Sequence, residues 1–158
     1  MPPRFLADEM LAKLVRFMRV MGLPVRHLEG KSDSSILAIA KIGNFTLLTS
    51  DEELALRCKK RKIPSLYLPQ ESVERQLSLI IRSFGIRLPK FSSGTLCPAC
   101  GGKLLKVRKA HLIGKIYPAV LARRRLFWRC GKCRHIYWSG THYIRLRKAY
   151  NKVLKLSS

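Results

Sequence analysis

The second half of this chain has no acid. Residues 75–158 hold 20 Lys+Arg and not one Asp or Glu, while residues 1–74 hold 12 Lys+Arg against all 9 Asp+Glu. Of the formal net charge of +23, +20 therefore lies after residue 74. Nothing inside that segment balances the field. It attracts polyanions and raises their encounter rate, which points to nucleic acid. An anionic membrane surface and a merely solubilising shell are the other readings of such a charge.

Long apolar runs are also missing. None reaches the roughly 18 residues that a membrane span needs. The opening MPPRFLADEM carries acid early and no extended apolar stretch, so it does not read as a secretory leader. The expectation is a cytoplasmic protein with no membrane partner. The apolar fraction is 47% over 158 residues. That suits one ordinary domain, or a small one with a satellite, around a real core.

Cysteine is scarce but patterned. Four of the five form two pairs, Cys97-Pro-Ala-Cys100 and Cys130-Gly-Lys-Cys133. In a cytosolic chain such pairs argue for metal over disulfides. Each Cys-x-x-Cys hairpin offers two thiolates to one side, and two hairpins complete a tetrahedral zinc site. Redox pairs are the alternative, and the glycine beside each pair argues against them. Four protein ligands leave no open position, so the expected zinc is structural. The 29 residues between Cys100 and Cys130 make a long insertion between knuckles. Cys58 lies on an apolar helical face and reads as a small core residue.

Along the first 86 residues strand-like and helix-like patterns alternate. RFLA (4–7), VRHL (25–28), FTLLT (45–49) and SLYL (65–68) read as strands. After the first, Asp8-Glu9 opens a helix whose Leu11, Leu14, Val15, Met18 and Met21 share a face, and Gly22 with Pro24 stops it. Asp33-Ser34-Ser35 caps a second helix, Asp51 starts a third, and Val73, Leu77, Ile80, Ile81 and Phe84 line a fourth. This is the pattern of an α/β fold with a mainly parallel sheet. The expected organisation is an α/β domain over 1–86, a linker over 87–95 and a small four-cysteine zinc ribbon over 96–140. A basic C-terminal helix follows over 141–158. Short β-like pieces are expected between the cysteine pairs. In the last helix Tyr143, Leu146, Tyr150, Val153 and Leu154 form an apolar stripe, with Arg145, Lys148, Lys152 and Lys155 opposite.

Aspartate is rare too, with only three: Asp8, Asp33 and Asp51. Asp8 and Asp51 each follow an apolar strand at once, where open α/β sheets bind ligands. Asp33 opens the helix between them. Converging carboxylates need a cation, and Mg²⁺ or Mn²⁺ takes such oxygen ligands. In nucleases ions held this way activate water and stabilise the leaving oxygen. Glu9, Glu52 and Glu53 stand nearby. Helix capping explains each aspartate singly, because a carboxylate at a helix start accepts backbone N–H bonds.

The segments Arg4-Phe-Leu-Ala-Asp8-Glu-Met-Leu11, Arg19-Val-Met-Gly22, Ser32-Asp33…Ile36-Leu37 and Thr46-Leu-Leu-Thr-Ser-Asp51-Glu-Glu-Leu54 carry a resemblance. With the cysteine pairs and Tyr137-Trp138-Ser-Gly-Thr-His142, nearly the whole chain resembles the Mut-seven C-terminal RNase family. The resemblance implies a PIN-like nuclease domain followed by a zinc ribbon, and a metal-dependent ribonuclease with Asp8, Asp33 and Asp51 as site carboxylates. The chain departs from the family pattern at Ser35, where an acid often stands, and at Glu52, where a base commonly does.

The leading expectation is an RNA-binding, Mg- or Mn-dependent endoribonuclease. Its rival is a non-catalytic RNA- or ribosome-binding factor with a degenerate site, to which Ser35 and the extreme charge point. A toxin silenced by an antitoxin rests on fold analogy alone. RNA contacts are expected from Arg123, Arg124, Arg125, Arg129, Arg134, Arg145, Lys148, Lys152 and Lys155, with rRNA, tRNA or the ribosome as candidate partners. Phe127, Trp128, Tyr137 and Trp138 lie among those bases, as stacking groups or as ribbon core. His27 reads as strand packing, and His111 and His135 as surface groups. His142 sits where the family places a histidine.

Overall fold

Four short strands come first, separated by helices. In this computed structural model, which describes residues 3–91 and 96–158, the order is β1 (Phe5–Ala7), α1 (Ala12–Val20), β2 (Val25–His27) and α2 (Asp33–Ile42). Then come β3 (Thr46–Thr49), α3 (Glu52–Lys60), β4 (Ser65–Tyr67) and α4 (Val73–Phe84). All the pairings are parallel, in the order β2-β1-β3-β4. The register sets Ala7 beside both His27 and Leu48. Residues 92–95 of the expected linker lie outside the described residues. No helix among the described residues is long and apolar enough to cross a membrane.

The sheet divides the core because strand side chains alternate faces. Phe5, Ala7, Val25 and Leu48 pack with α1 and α4. Leu6 and Leu47 pack on the other face with Ile36, Leu37 and Ala40 of α2 and Leu54 and Cys58 of α3. Cys58 is fully buried, as its helical face predicts. Helix α4 ends where Gly85 turns left-handed at φ 59, a conformation a Cβ would strain.

Two helix starts differ from the expectation. Asp8 is followed by a 3-10 turn, Glu9–Leu11, before α1 begins at Ala12. Helix α2 is capped by Ser32, whose hydroxyl accepts from the Ser35 N–H, and not by Asp33. The physical reason is register: Asp33 already has helical backbone, so its carboxylate points off the helix instead of back into it.

Beyond the linker, β5 (Leu104–Val107), β6 (Phe127–Cys130) and β7 (Ile136–Trp138) form an antiparallel sheet in that order. Phe127 and Trp128 are buried in it, while Trp138 is exposed. The long insertion holds a 3-10 turn, Lys109–Leu112, and a helix, α5 (Pro118–Arg123). The expected β-like pieces do not cover that helix. It has six residues and none is buried, so no periodic apolar face marked it. Pro118 at its first position was the available signal.

The last helix, α6 (Thr141–Ser157), returns to the first sheet. Tyr150 and Val153 are buried in the same core cluster as α1 and α4, with Leu146 and Ala149 against it. The Tyr150 hydroxyl donates to Pro89 O at 2.8 Å, and Phe91 packs against the rings of Tyr143 and Tyr150. Leu154, expected in the apolar stripe, is 40% exposed; it lies past the edge of the packed face. Arg19 of α1 makes the other tie. Its buried guanidinium donates through Nη1 to Pro98 O at 3.0 Å and Ala99 O at 2.9 Å, and through Nη2 to Val25 O at 3.3 Å.

Candidate functional site

The carboxyl ends of β1 and β3 carry Asp8 and Asp51. Asp8 is 4% exposed, one of the few buried charged groups. Its Oδ1 accepts from the Met10 N–H at 3.0 Å, and the Thr49 hydroxyl donates to its Oδ2. The same hydroxyl accepts from the Asp51 N–H at 3.0 Å, so Thr49 links the two aspartates. Burial pushes the Asp8 carboxyl above its ordinary range; the Thr49 and Met10 bonds pull it down, and the Asp51 charge adds to the rise. Asp51 caps α3, accepting from the Leu54 N–H at 3.1 Å. Asp8 and Asp51 therefore both make the cap bonds that simple helix chemistry predicts. Asp8 is in addition buried within reach of a second negative charge.

Asp33 behaves differently. Its Oδ2 meets Arg57 Nη1 at 2.7 Å, across from α2 to α3. Ser35, at the position where an acid is common, bonds through its hydroxyl to Ser32 at 3.0 Å. Glu9 accepts from the Gly30 N–H at 3.0 Å, and Glu52 accepts from the Tyr67 hydroxyl at 3.2 Å. Sequence reasoning missed Thr49 and Arg57. A threonine ending an apolar run two places before an aspartate was the visible signal for the first. The second is one of many arginines, and nothing in the sequence tells which one faces an acid.

The four cysteines converge. Among the described residues they are the only group of three or more His, Cys, Asp or Glu whose ligand atoms all lie within 4.8 Å of one another. Cys97 and Cys133 have sulfurs 3.7 Å apart, and Cys100 and Cys130 3.4 Å. A tetrahedron with zinc–sulfur bonds near 2.3 Å has edges of about 3.8 Å, so the set fits such an ion. Backbone N–H groups already point at the sulfurs: Gly102 at Cys100, and Lys132 and Cys133 at Cys130. Burial alone would raise the Cys130 thiol, but the N–H bonds from Cys133 and Lys132 bring it down to about 6. A lowered thiol favours the thiolate, the form that binds a cation, whereas at Cys133 the His135 N–H pulls the thiol down but desolvation and the thiols of Cys100, Cys130 and Cys97 hold it up. The Tyr137 hydroxyl lies 3.1 Å from Cys97 Sγ and braces it. The three aspartates are not drawn together to the same degree.

Arg123, Arg125, Arg134, Arg145, Lys148, Lys152 and Lys155 are exposed, and Arg124 and Arg129 half-buried. Among the described residues Lys152 alone of these has a carboxylate partner, Glu74 at 3.9 Å. The remainder present unbalanced positive charge. His135 is exposed against the Tyr137 ring at 4.6 Å, and His111 is exposed. His27 packs on the first sheet, with Nδ1 3.1 Å from Glu29 Oε1.

The structure thus combines a parallel α/β sheet with two aspartates at its strand ends, a metal-competent cysteine cluster and a basic surface. A family model described as the Mut7-C RNAse domain matches residues 3–150. The chain belongs to that family, and its function is accordingly nuclease-like and related to RNA. No curated protein matches it.

Proposed function

We propose that this protein is an RNA-binding, metal-dependent endoribonuclease of PIN-like type, with its reaction centre at Asp8, Asp51 and Asp33. The observation that carries this reading is Asp8: a carboxylate buried at a strand end, raised by that burial and by Asp51, and tied to Asp51 through Thr49. A fold keeps a buried carboxylate beside a second one when a cation or proton is to be shared there. Mg²⁺ or Mn²⁺ suits oxygen donors of this kind, and when bound would supply activated water and charge neutralisation at the scissile phosphate.

Each residue has a part. Asp8 and Asp51 would hold the ion, and Thr49, bonded to both, ties their elements together. Asp33 could join them only by leaving Arg57. That pair is half-exposed, at 31% and 44% of the two side chains, and such pairs are worth about 1 kcal/mol or less. A cation or a phosphate competes with it readily, and the released Arg57 then faces the RNA backbone. The four-cysteine centre (Cys97, Cys100, Cys130, Cys133) is a structural zinc ribbon over residues 96–140, following a PIN-like domain over 1–86 and the linker. The α6 basic face and the arginines of the ribbon bind RNA.

The second reading is a non-catalytic RNA- or ribosome-binding factor. It is favoured by the Asp33–Arg57 pair and by Ser35, which leave two carboxylates where a full set has more. The deciding test is cleavage of mixed single-stranded RNA in Mn²⁺. Wild type should cut internally and Asp51→Asn should not. Cleavage that survives Asp51→Asn makes Asp51 a helix cap only. RNA bound but left whole by wild type establishes the binding factor.

A further inference from the structure

Between the two sheets lies a cleft in which none of the three aspartates takes part. Its volume is about 550 Å³, and its walls come from both parts of the protein. Lys13 and Arg16 of α1 and His27 of β2 stand on one side; His135 and Tyr137 of the cysteine-bearing sheet and His142 of α6 stand on the other. Arg19, bonded to Pro98 and Ala99, also lines it. The only acid in the lining is Glu29, which is engaged by His27.

The position relates the cleft to the aspartates. His27 ends β2 and pairs in register with Ala7, the residue before Asp8, so one wall residue of the cleft stands at the strand ends that carry Asp8. The side chain of His27 is only 10% exposed, and its Nε2 is buried with no hydrogen-bond partner among the described residues. A buried nitrogen left unsatisfied beside a cleft is free to accept a hydrogen bond from a bound ligand or its water. Lys13, Arg16, His135 and His142 are exposed and have no carboxylate partner among the described residues.

We infer that this cleft binds the backbone of a single RNA strand and leads it to the strand ends that carry Asp8. The volume falls in the roughly 300–1,000 Å³ range of small-ligand sites, enough for a nucleotide-sized segment. Duplex RNA is recognised from outside by its shape and does not enter a cleft of this size. Lys13 and Arg16 contact phosphates, and His142 hydrogen-bonds the strand from the opposite wall. The His135–Tyr137 pair offers ring surface to a base. The proposal rests on the RNA-directed reading of the protein, but not on cleavage.

The test uses the full chain carrying Asp51→Asn, without Mg²⁺ or Mn²⁺, so that binding is read alone. The probe is a labelled, mixed-sequence single strand of roughly 12 nucleotides, with the matching duplex as comparison. Lys13→Gln with Arg16→Gln should weaken single-strand binding roughly tenfold and flatten its salt dependence by about 0.7 for each phosphate left unneutralised. Duplex binding should barely change. Lys59→Gln with Lys60→Gln removes the same charge from α3 and should have little effect. His142→Ala should likewise weaken the single strand only. Circular dichroism melts and zinc content establish that the variants fold.

Equal losses for the α1 and α3 pairs, or equal losses on single strand and duplex, overturn the cleft and leave only a diffuse field. So does absence of binding to either RNA. Crosslinks from 4-thiouridine RNA should reach Tyr137 or His142; crosslinks confined to α5 and the outer face of α6 overturn the proposal. The two readings fail separately. Inactive wild type with selective loss in the α1 pair leaves the cleft and removes the nuclease. Active wild type with an α1 pair that binds normally does the reverse.

Discussion

Asp8 sits where its charge is costly, and its neighbours show why it remains. Thr49 and the Met10 N–H satisfy both of its oxygens, yet burial still pushes its carboxyl up. An asparagine there keeps an oxygen for Met10 and offers an amide to Thr49, without the desolvated charge. Asp8→Asn should therefore melt at or above wild type in the absence of divalent ions, and gain nothing from Mn²⁺, which should stabilise wild type. Thermal unfolding with and without Mn²⁺ reads both; an equal Mn²⁺ gain in the variant removes Asp8 from the metal site. Arg57→Gln probes the third carboxylate. Freed from a pair worth about 1 kcal/mol or less, Asp33 should raise Mn²⁺ affinity by up to about fivefold in titration calorimetry. A fall in affinity would mean that Arg57 orients the site and that Asp33 is no ligand.

Helix α6 shows what an amphipathic stripe tells and what it withholds. Tyr150 and Val153 are buried as the spacing predicts, but the sequence does not name their partner, which is the α1 and α4 side of the first sheet. Helices α1 and α4 were legible from three- and four-residue spacing with glycine stops, and β3 from its apolar run. Helix α5 was not, because it buries nothing and so has no period to read. The convergence of the four cysteines was legible, since the spacing within each pair is local and marks it as a two-thiolate hairpin. The surroundings of the aspartates were legible only in part. Asp8 and Asp51 follow from strand ends, but Thr49 as a link and Arg57 as a partner depend on which side chains tertiary packing brings together. On α6, Arg145, Lys148 and Lys155 face water without carboxylate partners among the described residues, while Lys152 leans toward Glu74. Replacing all four with Gln should weaken binding to many RNA sequences alike and flatten the salt slope by about 0.7 for each phosphate released. Because Lys152 is engaged, the change should fit three phosphates better than four. Unchanged binding in anisotropy titrations would make this stripe an ordinary solvated face.

At the scale of the whole molecule the cysteine-bearing sheet and the first sheet should be stabilised by different means. The cysteine-bearing sheet is small, with three short strands, and domains of that size lean on a metal for their stability. Helix α6 follows it in sequence but belongs by packing to the other core, through Tyr150, Val153 and the Tyr150–Pro89 bond. Removing zinc, or replacing Cys97 with Ser, should therefore not unfold everything beyond the linker. Amide hydrogen exchange should show β5, β6 and β7 losing protection, while α6 keeps it around Tyr150–Val153 and β1 and β3 are unaffected. Arg19 adds a local signature. Its Nη1 acceptors, Pro98 O and Ala99 O, lie in the first cysteine hairpin, so their loss should loosen the end of α1 near Arg19. Arg19→Ala, conversely, should leave four thiols able to bind zinc but let the cysteine-bearing sheet move against α1, widening the cleft between them. If chelation strips protection from α6 along its whole length, the helix is held by the cysteine-bearing sheet and not by the first core. If it changes nothing at β5–β7, the cysteines are not what holds that sheet together.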